Sequence, residues 1–222
     1  GESQPLKVIA ASSNTGLIPD PTVTYTSANS TGSIAFTPVS DQSGTVTITV
    51  TVEDGGLDDD LDTAGDNATF SRTFDVTVNA VNDLPVLDTL SNVVVDEDAA
   101  EQTVNLAGIG AGGGESQPLQ VTSSSSDTGL ILDPTVTYTS ANATGSLAFT
   151  PVSDQSGTTT ITVTVEDGGL DNDLNTAADN ATFSRTFDVT VNAVNDVPTL
   201  IALSDLTIDE DAAEQTVNLA GI

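Results

Sequence analysis

The chemistry open to this chain is oxygen chemistry. Asp and Glu number 33 against 3 Lys and Arg, with no His and no Cys. Ser–His and Cys–His catalysis lack their base, thiol chemistry lacks its thiol, and common zinc sites lack their donors. What remains is carboxylate and amide oxygen in patterns that occur twice. Asn82–Asp83–Leu84–Pro85 returns as Asn195–Asp196–Val197–Pro198, and Asp41–Gln42–Ser43–Gly44 as Asp154–Gln155–Ser156–Gly157. Asp54, in Glu53–Asp54–Gly55, returns as Asp167 in Glu166–Asp167–Gly168. Val95–Asp96–Glu97–Asp98 adds another acidic group. Carboxylates gathered from separate segments repel one another unless a cation lies among them. Hard oxygen donors suit Ca²⁺, which accepts about 6–8 of them in flexible geometry; Mg²⁺ demands tight octahedral geometry and keeps its waters.

The recurrence is a whole-domain repeat. Residues 1–109 align without a gap on 114–222, an offset of 113, and 20 of the 109 pairs differ. A period that long exceeds the roughly 20–50 residues of solenoids, so each repeat is a domain. The proline after each Asn–Asp stops the preceding strand-like run. Dividing there gives residues 1–83, a domain lacking its first strands; 84–196, a complete domain; and 197–222, the first strands of a third. The end pieces together amount to 109 residues. Two readings follow: the chain is a stretch of a longer array, or the tail of one copy completes the head of another by strand addition.

Within the complete repeat, Thr158–Val165 alternates Thr with Ile161, Val163 and Val165, a strand with one face buried. Phe187–Val191 does the same; Val93–Val95, Val104–Leu106, Thr135–Thr139 and Ser146–Thr150 are shorter candidates. Turn-forming runs separate them, and no stretch has a helical period. About seven short strands per 113 residues imply an all-β fold of tandem Greek-key sandwiches of immunoglobulin type.

Strand length then places the acids. Thr158–Val165 spans roughly 25–30 Å at about 3.3 Å per residue, one domain length. Asp154 and Asp167 therefore stand at opposite ends. The next strand returns to the Asp154 end, bringing Asn195 and Asp196 there, and the extended run from Pro85 carries Glu97 to the same end. Asp167 instead faces the preceding joint, Asn82–Asp83. A second acidic pattern follows Asp167, with oxygens at Asp171, Asp173, Asn175 and Asp179, matched by Asp58, Asp60, Asp62 and Asp66. The spacing begins like an EF-hand, but Thr176 or Thr63 stands where Gly is required and Thr182 or Thr69 where Glu is. The EF-hand is excluded; a calcium-binding loop and a merely solvated loop both stay open.

These motifs resemble cadherin repeats, most closely the cadherin-like tandem repeats of large bacterial surface proteins. The resemblance rests on Val95–Asp96–Glu97–Asp98, on Asp154 followed by the strand ending Val165–Glu166–Asp167–Gly168, and on Val194–Asn195–Asp196–Val197–Pro198. It implies that Glu97, Asp154 and Asp196 bind calcium below a domain and Asp167 above it, with the same roles on Asp41, Asp83 and Asp54. Two features depart from the family: Gln155 follows Asp154 where a second acid is common, and the 171–179 loop is longer than the family needs.

A formal charge of −30 excludes charge-driven binding of nucleic acid or anionic membranes. No apolar run approaches the length needed to span a bilayer, so direct membrane insertion is not expected. Gly108–Gly113 matches a dinucleotide-binding glycine pattern, but Gln117–Pro118 precludes the helix it requires. Asn29, Asn67, Asn142 and Asn180 precede x-Ser/Thr, in a chain where chance accounts for such matches. The expectation is a non-enzymatic, calcium-rigidified spacer of an extracellular or cell-surface fibre, its partners being neighbouring repeats or further copies. The alternative is an adhesin module that binds a glycan or cell-surface ligand.

Overall fold

A computed structural model describes residues 4–27, 29–63 and 65–222. The first repeat supplies β1 (Leu6–Ser12), β2 (Thr22–Thr24), β3 (Ser33–Ala35), β4 (Gly44–Asp54) and β5 (Thr69–Val78). The second supplies β6 (Val93–Asp96), β7 (Gln102–Ala107), β8 (Leu119–Ser125), β9 (Thr135–Thr137), β10 (Thr144–Phe149), β11 (Gly157–Asp167) and β12 (Thr182–Asn192). Among the described residues no helix is long and apolar enough to cross a membrane.

The second repeat is a seven-strand sandwich. One sheet has the order β6-β12-β11-β8 and the other β7-β10-β9. The chain crosses between sheets and β10 returns beside β7, a Greek-key path. The long antiparallel pair β11/β12 sets the frame, with Ile161 opposite Phe187 and Val163 opposite Arg185. On β11 the odd positions 159–167 point inward and are buried. The core joins Leu106, Leu147 and Phe149 of one sheet to Val121, Ile161, Val163, Val165, Phe187 and Val189 of the other. Outward Thr residues pair across strands, as in Thr160 Oγ1 donating to Asp188 Oδ1 at 2.8 Å. The same period-two alternation carries Asp167 inward after Val165, so a carboxylate ends up fully buried at the end of the core.

Strand β8 has no counterpart among the strands expected from sequence. Ser123–Ser125 shows no apolar alternation, yet only Leu119 and Val121 need face the core, and pairing with β11 holds these serines extended. Strand β9 ends at Thr137 and not at Thr139.

The first repeat forms the same sheets with two strands fewer: β1-β4-β5 and β2-β3. In the second repeat β6 pairs parallel with β12, and β7 antiparallel with β10. Among the described residues of the first, β5 and β3 have no such neighbours. The buried core shrinks accordingly to Leu17, Ile18, Val46 and Ile48. After β12 the chain makes no further strand, and residues 197–222 are exposed throughout.

Candidate metal centre

The lower end of the second sandwich gathers acids from three separate segments. Asp98 lies in the turn after β6, Asp154 in the turn before β11, and Asp196 beyond the end of β12. One carboxylate oxygen from each lies within 4.8 Å of the others. Among the described residues this is the group of three acidic side chains that converges so closely. Asp154 has φ of 58°, the left-handed region that Asp and Asn tolerate best after Gly. Its backbone carbonyl accepts from Gln155 Nε2 at 2.9 Å, leaving the carboxylate to face the other acids. Glu97 is buried beside them. Its Oε1 accepts the Val194 backbone N–H at 2.6 Å, and its own N–H donates to Asn192 O at 2.9 Å, so it ties β6 to the departing chain. Asn195 turns aside, its Nδ2 donating to Asp196 O at 3.3 Å.

The Asp196 carboxyl is held above its ordinary value, first by desolvation, then by the charges of Asp98, Asp154 and Glu97, and by its hydrogen bond with Asp154. No basic side chain answers this charge. Lys7 lies 4.0 Å from Glu53, and Arg72 and Arg185 sit over Phe70 and Phe183.

The joint at Asn82–Asp83 is built differently. Asn82 Nδ2 donates to Asp167 Oδ1 at 3.1 Å and to the Asp179 carbonyl at 3.0 Å, while its Oδ1 accepts from Gln117 Nε2 at 2.7 Å. Asp167 Oδ1 also accepts the Gly169 and Ala181 backbone N–H groups at 3.0 and 2.9 Å. Asp167 Oδ2 and Gln117 Oε1 are buried without a hydrogen-bond partner. Orphaned buried oxygens are costly, by roughly 1–3 kcal/mol each. These two belong to residues bonded to the same asparagine. Asp83 donates its N–H to Glu115 Oε2 at 3.1 Å, and its carboxylate rests where a Gly113 Cβ would stand. Asp41, Asp83 and Glu115 line a cleft of about 440 Å³ at this joint. The available donor set, carboxylate and amide oxygen with no nitrogen or sulfur ligand, fits calcium.

The acidic loops satisfy themselves locally. Asp171 Oδ1 accepts the Asp173 N–H, Asp173 Oδ1 the Asn175 N–H, and Asp179 Oδ2 the Leu170 N–H. Asp58, Asp60 and Asp66 do the same for Asp60, Asp62 and Leu57. Asp173 is pulled below its ordinary value by the Asn175 N–H, then by the Asn175 and Thr176 side chains; Asp60 likewise by Asp62, then Thr63. Asp54 Oδ1 accepts the Gly56 and Ala68 N–H groups, as Asp167 does for its own loop.

Of the residues singled out from sequence, Asp154, Asp196 and Glu97 meet at one end of the second sandwich, and Asn82 meets Asp167 at the other. Asp41 and Asp83 share a cleft without closing into a triad. Asp98, Glu115 and Gln117 were not among them. Asp98 was within reach, since Val95–Asp96–Glu97–Asp98 offers three consecutive acids and only the turn after Asp96 decides which face inward. Gln117 is a neutral residue before a proline and carries no signal of its own.

No protein-family model matches the chain, and no curated protein matches it. Among solved structures the chain is similar to domains 1–6 of the surface-layer protein SbsC at 19% identity, over 87% of this chain and 21% of that one, with a TM-score of 0.38. It is similar to EC1-2 of human mucin-like protocadherin at 14% identity, over 85% of each chain, with a TM-score of 0.43. It is also similar to an endo-fucoidan hydrolase of glycoside hydrolase family 107 at 17% identity, over 86% of this chain and 24% of that one, with a TM-score of 0.35. The chain thus spans about a fifth of the length of the surface-layer chain.

Proposed function

We propose that this chain is a calcium-rigidified spacer from an extracellular surface fibre or adhesin, made of cadherin-like units at 1–83, 84–196 and 197–222. Its partners in this reading are neighbouring repeats or further copies, met head to tail. The observation that carries the calcium reading is the convergence of Asp98, Asp154 and Asp196, with no basic side chain to neutralise them. Buried, unpartnered Asp167 Oδ2 supports it at the upper side of the joint.

The role is mechanical. Asp98 and Asp154 come from turns locked into the sandwich, and Asp196 from the departing chain. Glu97 holds that chain by its backbone, and Asn82 staples the joint above to Asp167. Any cation bound among these groups supplies positive charge that offsets their mutual repulsion. Calcium ligands in this reading are Glu97, Asp154, Asn195, Asp196 and Asp98 at the lower joint, and Asp41, Asn82, Asp83, Asp54 and Asp167 at their equivalents. The loops at Asp58–Asp66 and Asp171–Asp179 are further, weaker sites. Such binding limits hinge freedom and stabilises the folded form by mass action, about 2.7 kcal/mol per site at roughly 100 times Kd.

Isothermal titration with Ca²⁺, paired with small-angle scattering with and without chelator, tests the reading. Saturable binding and a longer, narrower distance distribution in calcium are expected. No binding heat together with superimposable scattering curves refutes it.

A further inference from the structure

The glycine-rich stretch Gly108–Gly114 lies against the joint between the repeats. Residues 82–88 enter the second repeat antiparallel to residues 107–117, and the two segments hold each other at successive positions. Asn82 Oδ1 accepts from Gln117 Nε2 at 2.7 Å, and the Asp83 N–H donates to Glu115 Oε2 at 3.1 Å. Val86 and Gly110 exchange two backbone hydrogen bonds, at 2.8 and 3.2 Å, and the Asp88 N–H donates to Ala107 O at 3.0 Å. Pro85, which has no N–H to place, is buried on this run, as is Leu87. Each of these contacts is made directly between groups of the chain.

Two of the glycines make room for the linker. A Cβ on Gly112 would overlap the Leu84 carbonyl oxygen, and one on Gly113 the Asp83 carboxylate. Both have positive φ, 88° and 43°, where glycine meets no steric penalty. Gly114 has φ of 75° as well, but a Cβ there would meet open space. On its other side the loop is anchored in the core by Ile109 and Ala111. The loop is thus fixed to the sandwich and touches the linker backbone at the same time.

We infer that residues 107–117 form a clasp for the linker of the preceding repeat, and that the clasp makes residues 82–88 part of the rigid body of the second repeat without a cation. The partner it fits is an extended Asn–Asp–x–Pro segment. Gln117 takes the Asn amide oxygen and Glu115 the Asp N–H, while the Gly112–Gly113 turn leaves space for the Leu84 carbonyl and the Asp83 carboxylate. The proline limits the conformations open to the free linker, so less entropy is lost when the clasp closes on it. The boundary between the two rigid bodies then falls before Asn82 and not after Asp83. The clasp goes beyond the calcium reading and does not rest on it: the linker is held to the repeat that follows it whether or not an ion binds at the joint.

The test is residue-resolved amide hydrogen exchange of the 222-residue chain by NMR, in chelator and in saturating calcium. The Val86 and Gly110 amides of the wild type are expected to exchange on the order of 100-fold more slowly than open amides under both conditions. Gly112→Ala drives a methyl group into the Leu84 carbonyl and is expected to speed both amides by about tenfold or more. Gly114→Ala bears a similar left-handed backbone cost without touching the linker, and is expected to leave both amides slow. Glu115→Ala alters no glycine and is expected to speed exchange of the Asp83 amide. Slow exchange at Val163 and Val189, on the two central strands, reports that the sandwich is folded in each variant. Open exchange at Val86 and Gly110 of the wild type in chelator overturns the clasp. If those amides become slow only in calcium, the clasp falls and the calcium reading stands. Equal loosening by Gly112→Ala and Gly114→Ala also overturns it, by tracing the effect to the turn and not to the contact with the linker.

Discussion

Replacing Asp154 with Asn separates a calcium ligand from an ordinary turn residue, because the expected effect changes sign with calcium. Asp154 has φ of 58°, a conformation Asn adopts as readily as Asp, so the turn keeps its shape. Its hydrogen bond from Gln155 goes to the backbone carbonyl and survives. What changes is one negative charge among three carboxylates that lie within 4.8 Å of one another. Without calcium, the substitution removes a like charge beside Asp196 and supplies an amide donor to it, so the chelated variant melts at or above the chelated wild type. With calcium at about 100 times the wild-type Kd, a filled site stabilises the native state by about 2.7 kcal/mol. At about 4–8 °C per kcal/mol for a domain near this size, calcium raises the wild-type Tm by roughly 11–22 °C. Losing one of three anionic ligands at a cost of about 100-fold in affinity leaves about 0.4 kcal/mol, a rise of roughly 2–3 °C. The assay is thermal unfolding followed by circular dichroism, since the chain has no Trp and 2 Tyr. An equal calcium-induced rise in both proteins, or an equal loss of Tm under both conditions, would falsify the ligand role.

Three further outcomes are expected. The raised Asp196 carboxyl favours the protonated form in the folded state, so the chelated protein gains stability as pH falls through its folded pKa toward 3.8. Below 3.8 that trend reverses, because Asp60 and Asp173, held low by their turns, then lose the stability their ionised forms contribute. Calcium affinity should fall across the upper window as the Asp196 carboxyl takes up its proton, which titration calorimetry at stepped pH will follow. Asp167→Ala removes a buried acceptor of the Gly169, Ala181 and Asn82 donors. It should cost about 2–4 kcal/mol in urea denaturation of the second repeat; a loss under 0.5 kcal/mol would show the network to be dispensable. Asn82→Ala cuts the three hydrogen bonds that staple the joint to Asp167, Asp179 and Gln117. Scattering should then show a wider spread of interdomain distances with little change in either melting transition, whereas an unchanged distance distribution means that other contacts hold the joint.

The alternation of Thr with Ile161, Val163 and Val165 determined by itself that β11 is a half-buried strand, because a period of two leaves an extended chain one apolar face. The 113-residue recurrence determined that the two halves share one architecture, and the absence of His and Cys determined that any bound ion meets oxygen. Strand length went one step further, sending Asp154 and Asp167 to opposite ends of the sandwich. Strand β8 was not legible, since Ser123–Ser125 lacks local propensity and is held extended by pairing with β11. Strand length also brought Glu97 and Asp196 to the Asp154 end; only the tertiary structure decided that Asp98 closes on Asp154 and Asp196 there. Asp98, Asp154 and Asp196 are up to 98 residues apart, and their approach depends on how β6 lies parallel to β12, a long-range pairing that no local pattern encodes. The same holds for Asn82, whose side chain spends its hydrogen bonds on Asp167, Asp179 and Gln117. The oxygens were visible in the order of the residues, and their convergence was a property of how two sheets close over a core.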